Sequence, residues 1–542
     1  MNKLLETIKN QQITVGQWML GFVGILFVRF LLESFSNAPS SGIIPSDPYT
    51  LVHYGLFFLV VALGIICIVG YFTKDYITSS KFILLGLPII WLAPILDLIF
   101  SLGKGFKMTY LLDTHRTLIF DFFTFSGRSL SHGSTYGIRV EVAIILLGIG
   151  YYIWLHKKRI FHGFLGMFLS YCLIFLIAII PGMMYTLSHP NIQPVTQTEV
   201  LNYLEEVMLQ SNIAHNTLHE GLSSVSRGRF FELGFNKLLS QILFILSCFF
   251  AGFYFRKASP KKFEAVFKNL RLERVTFYLL LLGLGMSYAY LSGGYLNSWV
   301  DILGLVCLVF GWIGAWMYAI HINDLTDIEI DKISNPDRPL VQQTLTSEDV
   351  KNIGLVWLTV ALFGSWSAGF YPFFMNLVCL AISYIYSNYP LRLKRIPILS
   401  SFLISLVCLS TILAGFFFIY PDKRLAVFPI FLVLGIIIIF TLATNIRDVK
   451  DIEGDKANGI NTLPVLFGRN GVKLVGLFLA LGLLLAPIFL SFYLLYTVSI
   501  PTAILGYKLI TKTPYREKSV FILLFIFLIL LVLLFMITPW LV

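Results

Sequence analysis

The sequence predicts an all-α, polytopic membrane protein, and three observations support this. Of 542 residues, 57% are hydrophobic and 13% are charged, with a mean hydropathy of +0.81, which is too apolar for an ordinary soluble domain. About fifteen apolar stretches have the ~20 residues that a helix needs to cross a bilayer. Basic clusters occupy the short loops on one side of these spans, as the positive-inside rule requires.

The predicted spans divide into six followed by nine. The first six centre near residues 26, 62, 92, 146, 173 and 245, and the other nine near residues 285, 311, 360, 380, 408, 435, 480, 498 and 530. We therefore expect a six-helix membrane domain of unknown role over residues 1–255 and a second domain over residues 275–542. The basic segment 256–274 between them is either a linker that lies on anionic lipid or a solvated cytosolic loop.

The net charge of +11 is explained by topology and does not indicate nucleic acid as a partner. Clusters at Lys157–Arg159, Arg256–Arg274, Arg392–Arg395 and Lys508–Lys518 each follow an even number of spans. With a cytosolic N-terminus, all four face the cytosol. The six cysteines stand singly within predicted spans, so we expect small core residues and neither disulfides nor metal ligands.

One acidic motif occurs twice. Residues 323–331 read NDLTDIEID and residues 447–455 read RDVKDIEGD. The carboxylates are Asp324, Asp327 and Asp331 in the first motif, and Asp448, Asp451 and Asp455 in the second. The first motif follows the eighth predicted span and the second follows the twelfth, so both face the cytosol as a parallel pair. On one helix, positions i, i+3 and i+7 share a face, so each motif can present three carboxylates together.

These six aspartates predict a magnesium site. Carboxylates that are merely solvated would be scattered among bases, whereas these repeat at one spacing 448 − 324 = 124 residues apart. Mg²⁺ takes one or two carboxylates and completes its shell with phosphates and water, so two facing clusters suit a bound diphosphate. Neither motif contains Cys, and His321 is the only nearby imidazole, which argues against zinc.

Basic residues lie near both motifs on the same predicted side. They are Arg338, Arg392, Lys394, Arg395, Arg447 and Lys456. Guanidinium and ammonium groups can neutralise the charge that develops on a departing diphosphate. The alternative is that any of them merely marks the cytosolic side; we favour that interpretation for Arg395 and do not favour it for Arg338 or Lys394.

Three segments of the second half, in order, resemble the motifs of one family. NDLTDIEIDKISNPDRPL is similar to a first motif, Asn-Asp-x-x-Asp-x-x-x-Asp, and YSNYPLRLKR is similar to a loop that supplies Tyr and Lys. RDVKDIEGDKANGINTLP is similar to a second motif, carried by Asp451, Asp455, Gly459 and Thr462-Leu463-Pro464. The family is the UbiA-type intramembrane prenyltransferase superfamily, and the resemblance covers about residues 262–542.

The resemblance implies a nine-helix bundle around a cavity in which Mg²⁺ holds the diphosphate of a polyprenyl donor. Diphosphate leaves, and the allylic cation alkylates a lipophilic or aromatic acceptor. Asn323, Asp324, Asp327 and Asp331 would bind one magnesium, Asp448, Asp451 and Asp455 the other, and Arg338, Arg392 and Lys394 the diphosphate. The implied catalytic set is Asp324, Asp327, Asp448, Asp451, Lys394 and Tyr386, with Tyr386 facing the cation. Asn323, Arg338, Arg392, Asn445, Arg447 and Lys456 would bind substrate.

Within the family, the motifs are most similar to the branch of digeranylgeranylglyceryl phosphate, chlorophyll and homogentisate enzymes. The segment RPLVQQTLTSED departs from that branch because it lacks Ser-Gly after Arg-Pro. The acceptor therefore stays open between an aromatic ring carbon and an alcohol oxygen of glycerol-phosphate type. We expect a plasma-membrane protein with a cytosol-facing site. The alternatives are an ion-coupled transporter and a non-catalytic membrane scaffold.

The first half carries charged residues inside predicted spans near the exterior leaflet. Arg29, Glu33, Asp97, Arg139 and Glu141 suggest an exterior-facing polar site for a lipid headgroup or a partner protein. The alternative is that all but Asp97 snorkel from span ends. Separately, His215 and His219 stand beside Glu220, but the order does not match His-Glu-x-x-His, so we expect a surface loop there.

Overall fold

The computed structural model describes residues 2–35, 48–103, 110–112, 114–125, 135–190, 196–213, 227–421 and 424–537. Every regular element within these ranges is a helix. Fourteen of the helices are long and apolar enough to cross a membrane. A further 22-residue helix, Ser347–Ala368, occupies the position of the ninth predicted span. The predicted all-α membrane architecture is confirmed. The surface loop predicted at His215 and His219 lies outside the described residues.

The chain forms two compact units: residues 1–210 with 226–260, and residues 211–225 with 261–542. The helices of unit 1 are α1 Asn2–Asn10, α2 Val15–Ser34, α3 Pro48–Thr73, α4 Tyr76–Gly86, α5 Leu92–Phe100, α6 His115–Phe123, α7 Tyr136–Lys157, α8 Ile160–Ala178, α9 Ile180–Ser188, α10 Gln197–Leu209 and α11 Arg227–Ala258. Six spans lie in unit 1, at the positions that hydropathy predicts.

Unit 2 contains nine long helices and three short ones among its described residues. They are α12 Pro260–Lys268, α13 Leu272–Leu291, α14 Trp299–Thr326, α15 Ile328–Ser334, α16 Ser347–Ala368, α17 Phe370–Ser387, α18 Leu399–Ile419, α19 Ile430–Ala443, α20 Ile452–Ala457, α21 Leu463–Phe489, α22 Tyr496–Thr511 and α23 Glu517–Ile537. The basic segment 256–274 is therefore largely helical.

Small residues let the helices around the centre of unit 2 approach closely. A Cβ atom added to Gly285 on α13 would lie 1.9 Å from the carbonyl oxygen of Ile412 on α18. A Cβ added to Gly415 on α18 would lie 2.1 Å from the carbonyl oxygen of Leu282 on α13. The two backbones meet at these glycines, which is a common way for membrane helices to pack.

We expect Gly285→Leu to destabilise unit 2 by about 3 kcal/mol or more, because a side chain there would force two backbones apart. Gly283 lies on the same helix, and a Cβ added there would meet no atom within 4 Å, so Gly283→Leu is the matched control. Thermal unfolding of both variants in the same detergent tests this. Equal melting temperatures for the two variants would contradict the close approach of α13 and α18.

The charged residues of the first half form two separate groups inside unit 1. Arg29 is only 2% exposed, and its guanidinium donates to Glu33 at 2.8 Å and to Glu141 at 2.7 Å. Burial of this kind excludes snorkelling for Arg29. Asp97 accepts instead from the Thr135 hydroxyl at 2.6 Å and from the backbone N–H of Gly137 at 2.8 Å, which ties it to the start of α7.

Candidate active site

The two acidic motifs break their helices at matching aspartates. Helix α14 ends at Thr326, Asp327 has φ −112° and ψ 19°, and α15 starts at Ile328. In the second motif a 3-10 turn covers Thr444–Val449, Asp451 has φ −100° and ψ 13°, and α20 follows. The three carboxylates of each motif therefore do not lie on one continuous helix. The two motifs therefore share a backbone break at the same position as well as a similar sequence.

The short helices α15 and α20 bring the motifs together through a glycine. Gly454 on α20 packs against Ile330 and Ser334 of α15, and a Cβ there would lie 2.3 Å from the Ser334 Oγ. Gly454 occupies the position in the second motif that Ile330 occupies in the first. Since the larger residue of one motif faces the smallest residue of the other, the two helices can lie in contact.

A cavity of about 1210 Å³, counting its open mouth, lies beside these helices. Its polar wall contains carboxylates from both motifs together with amide and basic side chains. The predicted residues among its lining are Asn323, Asp327, Asp331, Arg338, Tyr386, Lys394, Arg447, Asp448, Asp451 and Asp455. Its apolar wall comes from α13, α14, α17 and α18 and includes Tyr278, Trp312, Trp316, Ile382 and Val407.

The carboxylates of the first motif are each paired with basic groups. Asp324 accepts from Arg271 at 2.6 Å and from Arg338 at 3.2 Å, and Arg338 also contacts Asp331. Asp327 accepts from Arg392 at 2.8 Å and contacts Lys394. The first motif is thus already neutralised by the protein itself.

The second motif differs, because no ion pair within the described residues joins Asp448, Asp451 or Asp455 to a base. Asp451 accepts only a long hydrogen bond, at 3.4 Å, from the amide of Asn335. The same amide lies 3.2 Å from Asp331 and so bridges the two motifs. Carboxylates that form no ion pair favour a cation close to them.

Burial and mutual repulsion change the acidity of these groups. Burial, with the neighbouring carboxylates of Asp451 and Asp448, raises the pKa of Asp455 to about 7. Burial also raises the pKa of Asp331 to about 6, although Arg338 opposes the change. Burial lowers the pKa of Lys394, against the opposing effect of Asp327. The cavity therefore disfavours charge unless a counter-charge is present.

In metal-free protein we expect the carboxyl group of Asp455 to lose its proton near pH 7. A raised pKa means that the neutral form persists up to that pH, and a bound cation would shift the midpoint downwards because it favours the charged form. Infrared titration of the protonated carboxyl band, in the wild type and in Asp455→Asn, measures this. A midpoint in the ordinary range for Asp, near pH 4, would contradict the buried cluster.

The donor set fits a hard cation that is completed by other ligands. Among the described residues, no three His, Cys, Asp or Glu side chains are gathered closely enough to enclose a metal by themselves. The available donors are carboxylate oxygens on two facing helices, beside an open cavity. Mg²⁺ is bound in this way, through one or two carboxylates with water and phosphate oxygens in the other positions.

Four of the predicted residues do not line the cavity. Asp324 and Arg392 are buried behind its wall, at 3% and 6% exposure, where they hold Arg271 and Asp327. Asn445 is buried against Ser401, whose hydroxyl donates to it at 2.8 Å. Lys456 is exposed on α20.

Three residues of the segment 256–274 that belong to the candidate site were not predicted from the sequence. Arg271 and Arg274 line the cavity, and Asn269 donates to Asp324 at 2.7 Å. The basic residues of this segment were attributed to contact with anionic lipid or to the positive-inside rule. The signal that distinguishes them is position, because they stand at the start of α13 and not in the middle of a loop.

The comparisons with known proteins agree with this geometry. Residues 277–532 match the model of the UbiA prenyltransferase family. The digeranylgeranylglyceryl phosphate synthase of Sulfolobus acidocaldarius is 32% identical over 201 residues, which are 36% of this chain and 70% of that protein. The chain belongs to the UbiA prenyltransferase family. It is therefore a membrane prenyltransferase, as its motifs predicted, and the transporter and scaffold alternatives lose support.

Three further proteins are similar to this chain. A digeranylgeranylglyceryl phosphate synthase of Thermococcus kodakarensis is 31% identical, over 36% of this chain and 71% of that protein. A 2-acylphloroglucinol 4-prenyltransferase of Humulus lupulus is 33% identical, over 39% of this chain and 50% of that protein. A solved UbiA homologue from Archaeoglobus fulgidus, bound to GPP and Mg²⁺, is 18% identical with a TM-score of 0.40, covering 50% of this chain and 98% of that one.

Proposed function

We propose that the protein transfers a polyprenyl group from a prenyl diphosphate to an acceptor with an anionic head, in a reaction that requires Mg²⁺. The observation that carries the proposal is the charge balance of the cavity. Five basic residues, Arg271, Arg274, Arg338, Lys394 and Arg447, and five aspartates line it. Because these charges cancel, a polyanionic diphosphate needs additional cations in order to enter.

The polar wall and the apolar wall of the cavity would have different roles in the reaction. Asp448, Asp451 and Asp455, with Asp327 and Asp331 opposite, would hold Mg²⁺, which when bound supplies positive charge to the diphosphate oxygens. Arg338, Lys394 and Arg447 are placed to neutralise the leaving group as its bond to carbon breaks. The aromatic wall, including Tyr278, Trp316 and Tyr386, would offer ring faces to an allylic cation and would limit the access of water to it.

A second, wider basin favours an anionic acceptor. It contains about 2010 Å³ of space open to solvent, and it shares Arg271, Arg274 and Arg338 with the cavity. Seven basic residues line this basin against four acidic ones. An excess of positive charge attracts an anionic headgroup. Two of the relatives are named as synthases of a glyceryl phosphate lipid, which supports the same class of acceptor.

The test is an acceptor competition in lipid nanodiscs. Radiolabelled geranylgeranyl diphosphate is supplied with equal amounts of a glyceryl phosphate lipid, its dephosphorylated alcohol and a phenolic acceptor. We expect label in the phosphate lipid, as an ether to its free hydroxyl. Label in the phenol instead would replace the acceptor class with an aromatic ring, and equal labelling of the alcohol would remove the role of the basic basin.

The site is proposed to face the cytosol of a plasma-membrane protein, because the basic loops follow even-numbered spans. Lys456 is exposed beside the second motif, so a cysteine at this position reports on the side. We expect Lys456→Cys to react with an impermeant maleimide only after cells are opened. Labelling of intact cells would reverse the topology.

A further inference from the structure

Unit 1 contains a cavity of its own, of about 1320 Å³ counting its opening. Its wall is mostly aromatic and branched aliphatic, with Phe57, Phe82, Ile145 and Phe175 among its members. Such a wall, inside a helical membrane unit, suits an apolar chain. The charged residues of its lining are Arg29, Arg139 and Glu141. We call the ion pair of Arg29 and Glu141 the polar end of the cavity.

Among the described residues, one donor atom and one acceptor atom of the polar end take part in no hydrogen bond. Arg29 donates through Nε to Glu33 and through Nη1 to Glu141 and to the carbonyl of Ile90. Glu141 accepts through Oε2, both from Arg29 and from the backbone N–H of Ala93. None of these bonds uses Nη2 of Arg29 or Oε1 of Glu141. Since Arg29 and Glu141 line the cavity, a ligand that both accepts and donates a hydrogen bond would be stabilised there.

The charges at this end decide the class of ligand. Arg29 forms ion pairs with both Glu33 and Glu141, so its positive charge is already balanced. A diphosphate would therefore lack the cations that it would find in the cavity of unit 2, and an ammonium group, which has no acceptor, could not satisfy Nη2. A hydroxyl satisfies both unused atoms, because it can accept from Nη2 and donate to Oε1.

We propose that unit 1 binds an uncharged lipid alcohol, with its hydroxyl between Arg29 and Glu141 and its chain along the apolar wall. This site goes beyond prenyl transfer and does not depend on it. An isoprenoid alcohol and a prenylated phenol share this chemistry, and the experiment below separates them. The site gives a role to the charged residues of α2 and α7, for which the reaction in unit 2 has no use.

Two glycines make a matched pair for the test. Gly148 lines the cavity, and Gly24 on α2 is not among the lining residues; a Cβ added at either position would meet no atom within 4 Å. Leucine at Gly148 therefore fills the cavity without pushing on the backbone. Leucine at Gly24 adds the same bulk elsewhere in unit 1.

The full chain in nanodiscs is irradiated with a photoreactive geranylgeraniol, and labelled peptides are mapped by mass spectrometry. We expect label in α3 and α7, reduced about tenfold by Gly148→Leu and unchanged by Gly24→Leu. Unlabelled geranylgeraniol and a prenylated phenol compete in separate arms, and the stronger competitor identifies the source of the hydroxyl. Geranylgeranyl diphosphate and geranylgeranylamine should not displace this label.

Three results would overturn the proposal. The first is no label in α3 or α7 of the wild type, which would mean that Nη2 of Arg29 and Oε1 of Glu141 bind water instead of a lipid alcohol. The second is equal label in Gly148→Leu and Gly24→Leu. The third is displacement by the diphosphate or the amine as readily as by the alcohol. Since the readout is labelling of unit 1 and not transfer, failure here leaves the proposed transferase reaction untouched.

Discussion

Asp451→Asn is expected to lower the rate of prenyl transfer at least about a thousandfold, because a bound metal contributes several kcal/mol to charge stabilisation. Asp451 lies at the helix break of the second motif and lines the cavity. Within the described residues no base neutralises it, so its negative charge is available to a cation. Replacing it by the isosteric amide removes the charge and keeps the shape.

Glu453→Gln is the matched control for this variant. Glu453 lies two residues away on α20, is exposed and does not line the cavity. We expect its rate to stay within about twofold of the wild type, since an exposed charge contributes little. Initial rates at saturating donor, with folding checked by thermal unfolding, decide the comparison. An equal loss in both variants would mean that the second motif acts only through its overall charge.

Gly454→Ala is expected to reduce transfer about a hundredfold, because a shift of ~1 Å between catalytic groups has effects of that size. The added methyl group would lie 2.3 Å from the Ser334 Oγ, 3.0 Å from the Ile330 Cγ2 and 3.2 Å from the Ile330 carbonyl oxygen, so it would push α15 and α20 apart. The carboxylates of the two motifs would separate with them. We also expect a loss of about 2 kcal/mol in stability from the overlap.

A second substitution tests whether contact is the cause. The Ser334 Oγ is buried and makes no hydrogen bond within the described residues, so Ser334→Ala removes the overlapping atom without breaking a bond. We expect the double variant Gly454→Ala/Ser334→Ala to recover most of the lost rate, and Ser334→Ala alone to resemble the wild type. A double variant no more active than Gly454→Ala would show that the contact between the motifs is not what limits the rate.

The membrane fold was predictable because its cause is local. A helix that crosses a bilayer is predominantly apolar, and hydropathy therefore located the spans. At the ninth predicted position, α16 carries Glu348 and Asp349 in its first turn and is not among the fourteen described helices that are apolar enough to cross a membrane. The aspartates were also predictable, because their spacing repeats. Their grouping in one cavity follows from the even number of spans between them.

The sequence did not predict that basic residues pair with the first motif and not with the second. Arg338 and Lys394 are near Asp331 and Asp327 in the structure, whereas the second motif has no such partners among the described residues, and partner choice depends on tertiary contacts. The breaks at Asp327 and Asp451 carry no Gly or Pro that would announce them. Arg271 was taken for a topological charge because a basic loop and a basic site have the same composition.

The most direct test of the central claim is the dependence of transfer on metal. Purified full-length protein in lipid is treated with a chelator and supplied with radiolabelled geranylgeranyl diphosphate and a glyceryl phosphate lipid acceptor. We expect no labelled product until Mg²⁺ is added, and full recovery of the transfer rate afterwards. Undiminished transfer in the presence of the chelator, or no transfer with Mg²⁺ to any acceptor class, would contradict that claim.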